Sequence, residues 1–322
     1  MGRLHRTDDT SLTLAERTLV GRAESCHLKL RDRRVSGQHA LIYYDAGRWW
    51  LRDLGSRNGT YVDGRVVQPA EPRPLVPGSR LQFHASGAAP WLFSDDGPPR
   101  ASAFRLGAAG SGVREEAVVV ADAGFMLLPE VNAPEVQIHA HPQGWSAEWV
   151  VSGETFEPAD GQTLSLEGTT WRLSLPPRGP GTSLPPPTES ERSDFRPGLP
   201  FLHLRVRVSR DRESVQVVAK LGRREVRLAP RACHELLLLL AEARIADQAQ
   251  PQLRPAEHGW VYADLLAEEL GHGRGKLNVD VCRLRKQFAR QLGISDAAGV
   301  IERRPRTQQL RVGIEHLVVE PM

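Results

Sequence analysis

The sequence predicts a multidomain protein, β-rich over its first half and α+β with a helix-turn-helix in its last third. Three observations predict this. The first 175 residues alternate short apolar runs with Gly, Asp and Asn turn clusters, the pattern of β-sandwiches. A stretch dense in Pro, Gly, Ser and Glu, PPRGPGTSLPPPTESERSDFRPGLP at 176–200, reads as an extended linker. Beyond it, apolar residues recur at helical spacing between two sets of strands.

In the first segment, 1–95, strands are expected at His27–Leu30, Ala40–Tyr44, Trp49–Asp53 and Arg80–His84. They are separated by the turn sequences AESC, DAG, SRNG, VDG and VPGS. A weaker boundary, SDDGPPRAS, opens a second segment at 96–175, with strands expected at 117–121, 145–151 and 163–175. Its rhythm loosely repeats that of the first segment, with Trp145 and Trp149 parallel to the Trp49–Asp53 strand. It is either a degenerate copy of the same sandwich or an unrelated small β-domain. His139 and His141 alternate on a strand without Cys or carboxylate partners, which argues for ordinary strand residues over a metal site.

The third segment, 201–322, begins with strands at Leu202–Val208, Val215–Leu221 and Arg224–Leu228. A helix is expected from about Pro230, a second over Tyr262–Leu270 and a third over Lys276–Leu292. The third carries Leu277, Val281, Leu284, Phe288 and Leu292 along one face. A closing hairpin is expected in VIERRPRTQQLRVGI.

Composition narrows the function. The 322 residues carry 42 Lys+Arg against 39 Asp+Glu, a net +3 that names no partner. That charge is uneven: residues 271–313 hold ten basic residues against Asp280, Asp296 and Glu302, which points to a polyanion partner. No run approaches the roughly 18 apolar residues of a membrane span. The N-terminus lacks the apolar core of a secretory signal, and the three cysteines are far apart, so a reduced, cytoplasmic protein is expected. No GxSxG, HExxH or phosphate-loop spacing is present, so neither enzyme activity nor any cofactor or metal is expected.

One ordered set of residues in 1–95 is specific. Val20-Gly21-Arg22 is followed by Arg34-Val35-Ser36-Gly37-Gln38-His39, then by Ser56-Arg57-Asn58-Gly59-Thr60. A phosphate dianion needs a guanidinium, a hydroxyl donor and backbone groups converging from loops, and this set supplies them. It resembles the forkhead-associated (FHA) family, whose signature is GR, then SxxH, then SxNGT. The resemblance implies an all-β sandwich that binds a phosphothreonine protein. Arg22 and Ser36 would hold the phosphate and Asn58 the ligand backbone, with Arg34 and Arg57 as flanking contacts. Gly21, His39 and Gly59 would be structural. Gly37 stands where the family often has Arg or Asn as a further ligand contact.

Segment 201–322 resembles the winged-helix DNA-binding domain of response regulators, most specifically in LNVDVCRLRKQF. The resemblance implies that the third helix enters the major groove of double-stranded DNA. Arg283 would contact a base and Lys276 and Arg285 would anchor the DNA backbone, with Lys286 lining another face of the helix. Arg304 and Arg306 in the wing would reach phosphates or the minor groove. Together the two resemblances imply a transcriptional regulator that reads a phosphothreonine protein, such as a Ser/Thr kinase or its substrate. The alternative is a signalling scaffold in which both domains bind proteins.

Overall fold

The computed structural model describes all residues except 9, 70, 86–88, 107–117, 142, 177–197 and 295. Nearly all of the expected linker therefore lies outside the described residues. The chain divides into two compact units, Met1–Val120 with Ala159–Pro176, and Ala121–Pro158 with Pro177–Met322. The expected second segment, 96–175, is thus shared between the units.

In the first unit a five-stranded and a six-stranded sheet form the N-terminal sandwich. The first runs, in spatial order, Leu28–Lys29, Arg17–Gly21, Ala40–Asp45, Arg48–Asp53, Arg73–Leu75. The second runs Ser11–Thr13, Arg3–His5, Trp91–Asp95, Arg80–Gln82, Thr60–Val62, Arg65–Val67. Strand alternation explains the core. In Arg48–Asp53, Trp49, Leu51 and Asp53 are buried while Arg48 and Arg52 are exposed. Trp49, Phe93, Leu4, Ile42 and Leu51 are all fully buried between the sheets. The hairpins turn on Ala46-Gly47 and Asp63-Gly64, both residues of each pair at positive φ, the twist-matched two-residue turn. A further four-stranded sheet orders Val118–Val120, Ser102–Leu106, Thr169–Ser174 and Thr163–Leu166. The single strand expected over 163–175 is in fact a hairpin, because Glu167-Gly168 makes the same turn.

The second unit contains a four-stranded antiparallel sheet, Phe125–Leu128, Val136–His141, Gly144–Trp149 and Thr155–Phe156. Its other part pairs Arg224–Arg227, Val215–Leu221 and Leu202–Val208 with His316–Pro321, the last pairing being parallel. That final strand has no counterpart among the sequence-based expectations. Three helices follow the first strands: α1 (His234–Gln248), α2 (Ala263–Glu269) and α3 (Arg274–Leu292). The hairpin Ile301–Arg304/Gln309–Val312 pairs further with Val261–Tyr262. The helix α3 ends at Gly293, whose φ of 71° closes the last turn. Leu277, Val281, Leu284 and Phe288 are fully buried in one core with Leu236, Leu237 and Val312. At roughly 1.5–3 kcal/mol per large side chain, this face outweighs any surface ion pair in holding α3.

Candidate functional site

Three loops of the N-terminal sandwich are tied together at one end. The strand Arg17–Gly21 delivers Gly21 against the second loop, where a Cβ would lie 2.2 Å from the Gly37 carbonyl oxygen. No other residue fits there. The close approach lets Arg22 N–H donate to Ser36 O (2.9 Å) and Ala23 N–H to Gly37 O (2.9 Å). The Cys26 thiol also donates to Gly37 O (3.1 Å).

His39, fully buried, links the second loop to the third. Its Nδ1 accepts from Ser36 N–H (3.0 Å), which fixes the proton on Nε2, 3.3 Å from Gly59 O. Burial holds its pKa below the ordinary value, so the ring is neutral at pH 7. The third loop is closed by two further bonds. Arg57 N–H donates to Ser36 Oγ (3.1 Å), leaving the hydroxyl proton free to donate outward, and Asn58 Nδ2 donates to Arg34 O (2.6 Å). Gly59 has a φ of 75°, which a side chain would strain.

Asp53 is a part of this site that the sequence reading treated only as a strand end. Its buried carboxylate accepts from Gly55 N (2.8 Å), Ser56 N (2.8 Å), Ser56 Oγ (2.6 Å) and Thr60 Oγ1 (2.5 Å). Burial alone would raise its pKa, but these donors outweigh it and the net shift is downward. The signal available in sequence was the run Asp53-x-x-Ser56 with Thr60, a carboxylate within reach of two hydroxyls.

Arg22, Arg57 and Asn58 are exposed and Ser36 half-exposed around the joined loops. These residues, expected at a phosphopeptide, thus stand on loops bonded to one another. Arg34 is also exposed, but its guanidinium lies on Asp32, with Nε at 3.0 Å and Nη2 at 2.6 Å. That guanidinium holds Asp32 well below the carboxylate range. Gly37 is exposed, and a Cβ there would touch nothing within 4 Å. Chemically the loop set offers a guanidinium, a hydroxyl and a side-chain amide around a rigid backbone, which suits a tetrahedral dianion on an extended peptide.

The basic residues of the C-terminal part are placed differently from one another. Lys276 is about half exposed, with Nζ 3.4 Å from Asp280 Oδ2. Arg306, with a φ of 66°, stands exposed in the Arg304–Gln309 turn. Arg304 is half-buried, paired with Glu257 (3.1 Å) and 5.1 Å over the Trp260 ring. Arg283 donates to Asn132 Oδ1 (3.1 Å), and Lys286 pairs with Asp122 (2.9 Å).

Arg285 corrects the sequence-based expectation of a DNA backbone anchor. It is 2% exposed, donating to Ile301 O from Nε (3.0 Å) and Nη2 (2.6 Å) and pairing through Nη1 with Glu148 (2.8 Å). Arg303 lies against the same carboxylate (2.8 Å) and donates to Asn278 Oδ1 (2.9 Å). The reason is geometric: Arg285 falls on a second stripe of α3 with Cys282 and Ala289, both buried. Cys282 packs with Leu127 and Val150, and burial pushes its thiol up to about 11. It is a protonated, inert side chain at neutral pH. Among the described residues no cluster of three or more His, Cys, Asp or Glu could hold a metal ion. Nor is any helix among them long and apolar enough to cross a membrane.

A paired-sheet sandwich with an Arg, Ser, His and Asn-Gly loop set at one end is the architecture of a loop-based recognition domain. Residues 18–84 match the family model for the FHA domain, and an FHA domain therefore stands near the N-terminus. Among curated proteins, FhaB of Mycobacterium tuberculosis is 40% identical over 65 residues, covering 20% of this chain and 42% of FhaB. FhaB of Mycolicibacterium smegmatis is 39% identical over 67 residues, covering 20% and 43%. The chain thus spans about two fifths of the length of these relatives. Among solved structures, the FhaA FHA domain in complex with an intracellular domain is 27% identical, covering 29% of this chain and 99% of that one, with a TM-score of 0.26. EmbR of Mycobacterium tuberculosis, solved with a low-affinity phosphopeptide, is 22% identical, covering 30% and 25%, with a TM-score of 0.27.

Proposed function

We propose that this protein is a non-enzymatic transcriptional regulator of a Ser/Thr kinase pathway. It reads a phosphothreonine protein through its FHA domain and binds promoter DNA through a C-terminal winged helix. The observation that carries the first half is the joined loop set. Arg22 supplies fixed charge, Ser36 a free hydroxyl proton and Asn58 an exposed amide, on loops joined by the Arg22 and Ala23 backbone bonds and by His39. A charge-assisted phosphate contact is worth about 1.5–3 kcal/mol. Arg22→Ala should therefore weaken phosphothreonine-peptide binding by about 10–150-fold, read by calorimetry, while the unphosphorylated peptide binds neither form.

The DNA half is supported by the order of strands, α2, α3 and hairpin, and by the exposed cations Lys276 and Arg306 in a basic span. Selection of bound fragments from genomic DNA by the full chain, repeated with its phosphopeptide present, tests it. Enrichment of a common sequence that weakens steeply with salt is the expected result. The scaffold reading is favoured by a separate observation: Arg283 and Lys286 already bond protein groups, Asn132 and Asp122. Its signature is partner binding with no salt-dependent DNA affinity in either phosphopeptide state.

A further inference from the structure

The helix α3 is buried on two sides, and only one side belongs to its own core. The second side, Cys282 and Arg285, is buried, with Cys282 on Leu127 and Val150 and Arg285 on Glu148, all from the segment between Phe125 and Phe156. Around this patch, Arg283 bonds Asn132, Lys286 pairs with Asp122, and Arg303 shares Glu148. Three of the four α3 residues expected at DNA therefore find their partners in Ala121–Pro158. The charges match where the two meet: Asp122 and Glu148, in a segment with six acidic residues and no Lys or Arg, take Lys286, Arg285 and Arg303.

The contact is apolar only in part: Phe125 joins the core of α3 and Leu127 and Val150 meet Cys282, but polar side chains of the sheet are buried without bonds. Gln137 is fully buried, and both polar atoms of its amide lack partners among the described residues. It lies across the sheet from Glu148 and Leu127, so it shares their face. His139 Nδ1 and Glu135 Oε1 are likewise buried without a partner. Water would satisfy all of these atoms on separation, which lowers the cost of opening.

We propose that the Ala121–Pro158 sheet is a removable acidic cover on α3, competing with DNA phosphates for Arg283 and Lys286. This inference rests on the DNA-binding reading above. Closed, the cover reduces apparent DNA affinity in proportion to the open fraction.

The test uses the full chain, a labelled mixed-sequence duplex in an anisotropy titration across salt, and hydrogen exchange of the Val136–Trp149 amides. Asp122→Lys weakens the edge of the cover at a half-exposed position, and Glu148→Gln weakens its centre. Glu130→Lys, at an exposed residue of the same segment with no ion pair to α3, makes the same charge change as Asp122→Lys. The expected result is faster exchange and about tenfold tighter duplex binding in Asp122→Lys, no such gain in Glu130→Lys, and loss of the gain on adding Arg283→Ala. Faster exchange with unchanged affinity, or an equal gain in Glu130→Lys, overturns the cover and leaves the DNA reading standing. If no form binds the duplex while exchange accelerates, the DNA reading fails and the cover's competing role fails with it. Asp122→Lys keeps the test open should Glu148→Gln fail to fold.

Discussion

Gly21 and Gly37 touch at the centre of the joined FHA loops, yet they answer to opposite constraints. A methyl group at Gly21 would meet the Gly37 carbonyl at 2.2 Å, with backbone on both sides and little room to relax. Gly21→Ala should cost about 1–3 kcal/mol of FHA stability, measured by denaturant unfolding. Gly37 faces open space and has no positive φ, so Gly37→Asn should stay within about 0.5 kcal/mol of wild type. The added amide should tighten phosphopeptide binding, and calorimetry on the two variants separates the effects. His39 gives the site a pH dependence of definite sign. Burial lowers its pKa in the folded chain, while an unfolded histidine titrates near about 6.5. The stability it contributes is therefore full above about pH 6.5 and is lost as pH falls towards its lowered folded value. Protonation would also set a hydrogen on Nδ1 against Ser36 N–H. A phosphothreonine loses its second charge near about pH 6, so affinity should fall across the same window. His39→Asn should flatten the protein's share of that fall, leaving the peptide's.

At the scale of elements, α3 divides its cations between structure and surface. Arg285→Ala removes one partner of a buried Glu148 and two bonds to Ile301 O, so it should destabilise the second unit by about 3–5 kcal/mol. Lys276→Ala, at a half-exposed position, should leave stability nearly unchanged and lower the salt slope of DNA binding by about one. Thermal unfolding and salt titration of the two variants should give opposite rankings. The sequence made the core face of α3 legible because Leu277, Val281, Leu284 and Phe288 are large and regularly spaced. The second stripe was not, since Cys282 and Ala289 are small and Arg285 reads as a surface cation. Its partner Glu148 lies in another segment of the chain, beyond what local periodicity can report. Similarly, His316–Pro321 alternates burial weakly and owes its strand state to a parallel neighbour at Leu202–Val208. The FHA loops were readable for the converse reason: each function there is carried by a residue type that chemistry restricts. Asp53 escaped because its donors come from the turn that follows it and from Thr60 at the start of the next strand.

Over the whole molecule, the chain crosses between its two units three times, after Val120, Pro158 and Pro176. The Pro-rich composition of 176–200 suggested a simple boundary, whereas Ala121–Pro158 belongs with residues beyond it. A protease recognition sequence inserted at 186 would let the chain be nicked into two fragments. The N-terminal fragment would still own the sheet that holds Glu148, and the C-terminal fragment would own Arg285 and Arg303. The nicked protein should elute as one species by size exclusion and separate in denaturant. Glu148→Gln should lower the denaturant needed. Contacts that hold one chain together would then serve as a split-protein complementation pair, with the cut ends free to report whether the halves remain joined.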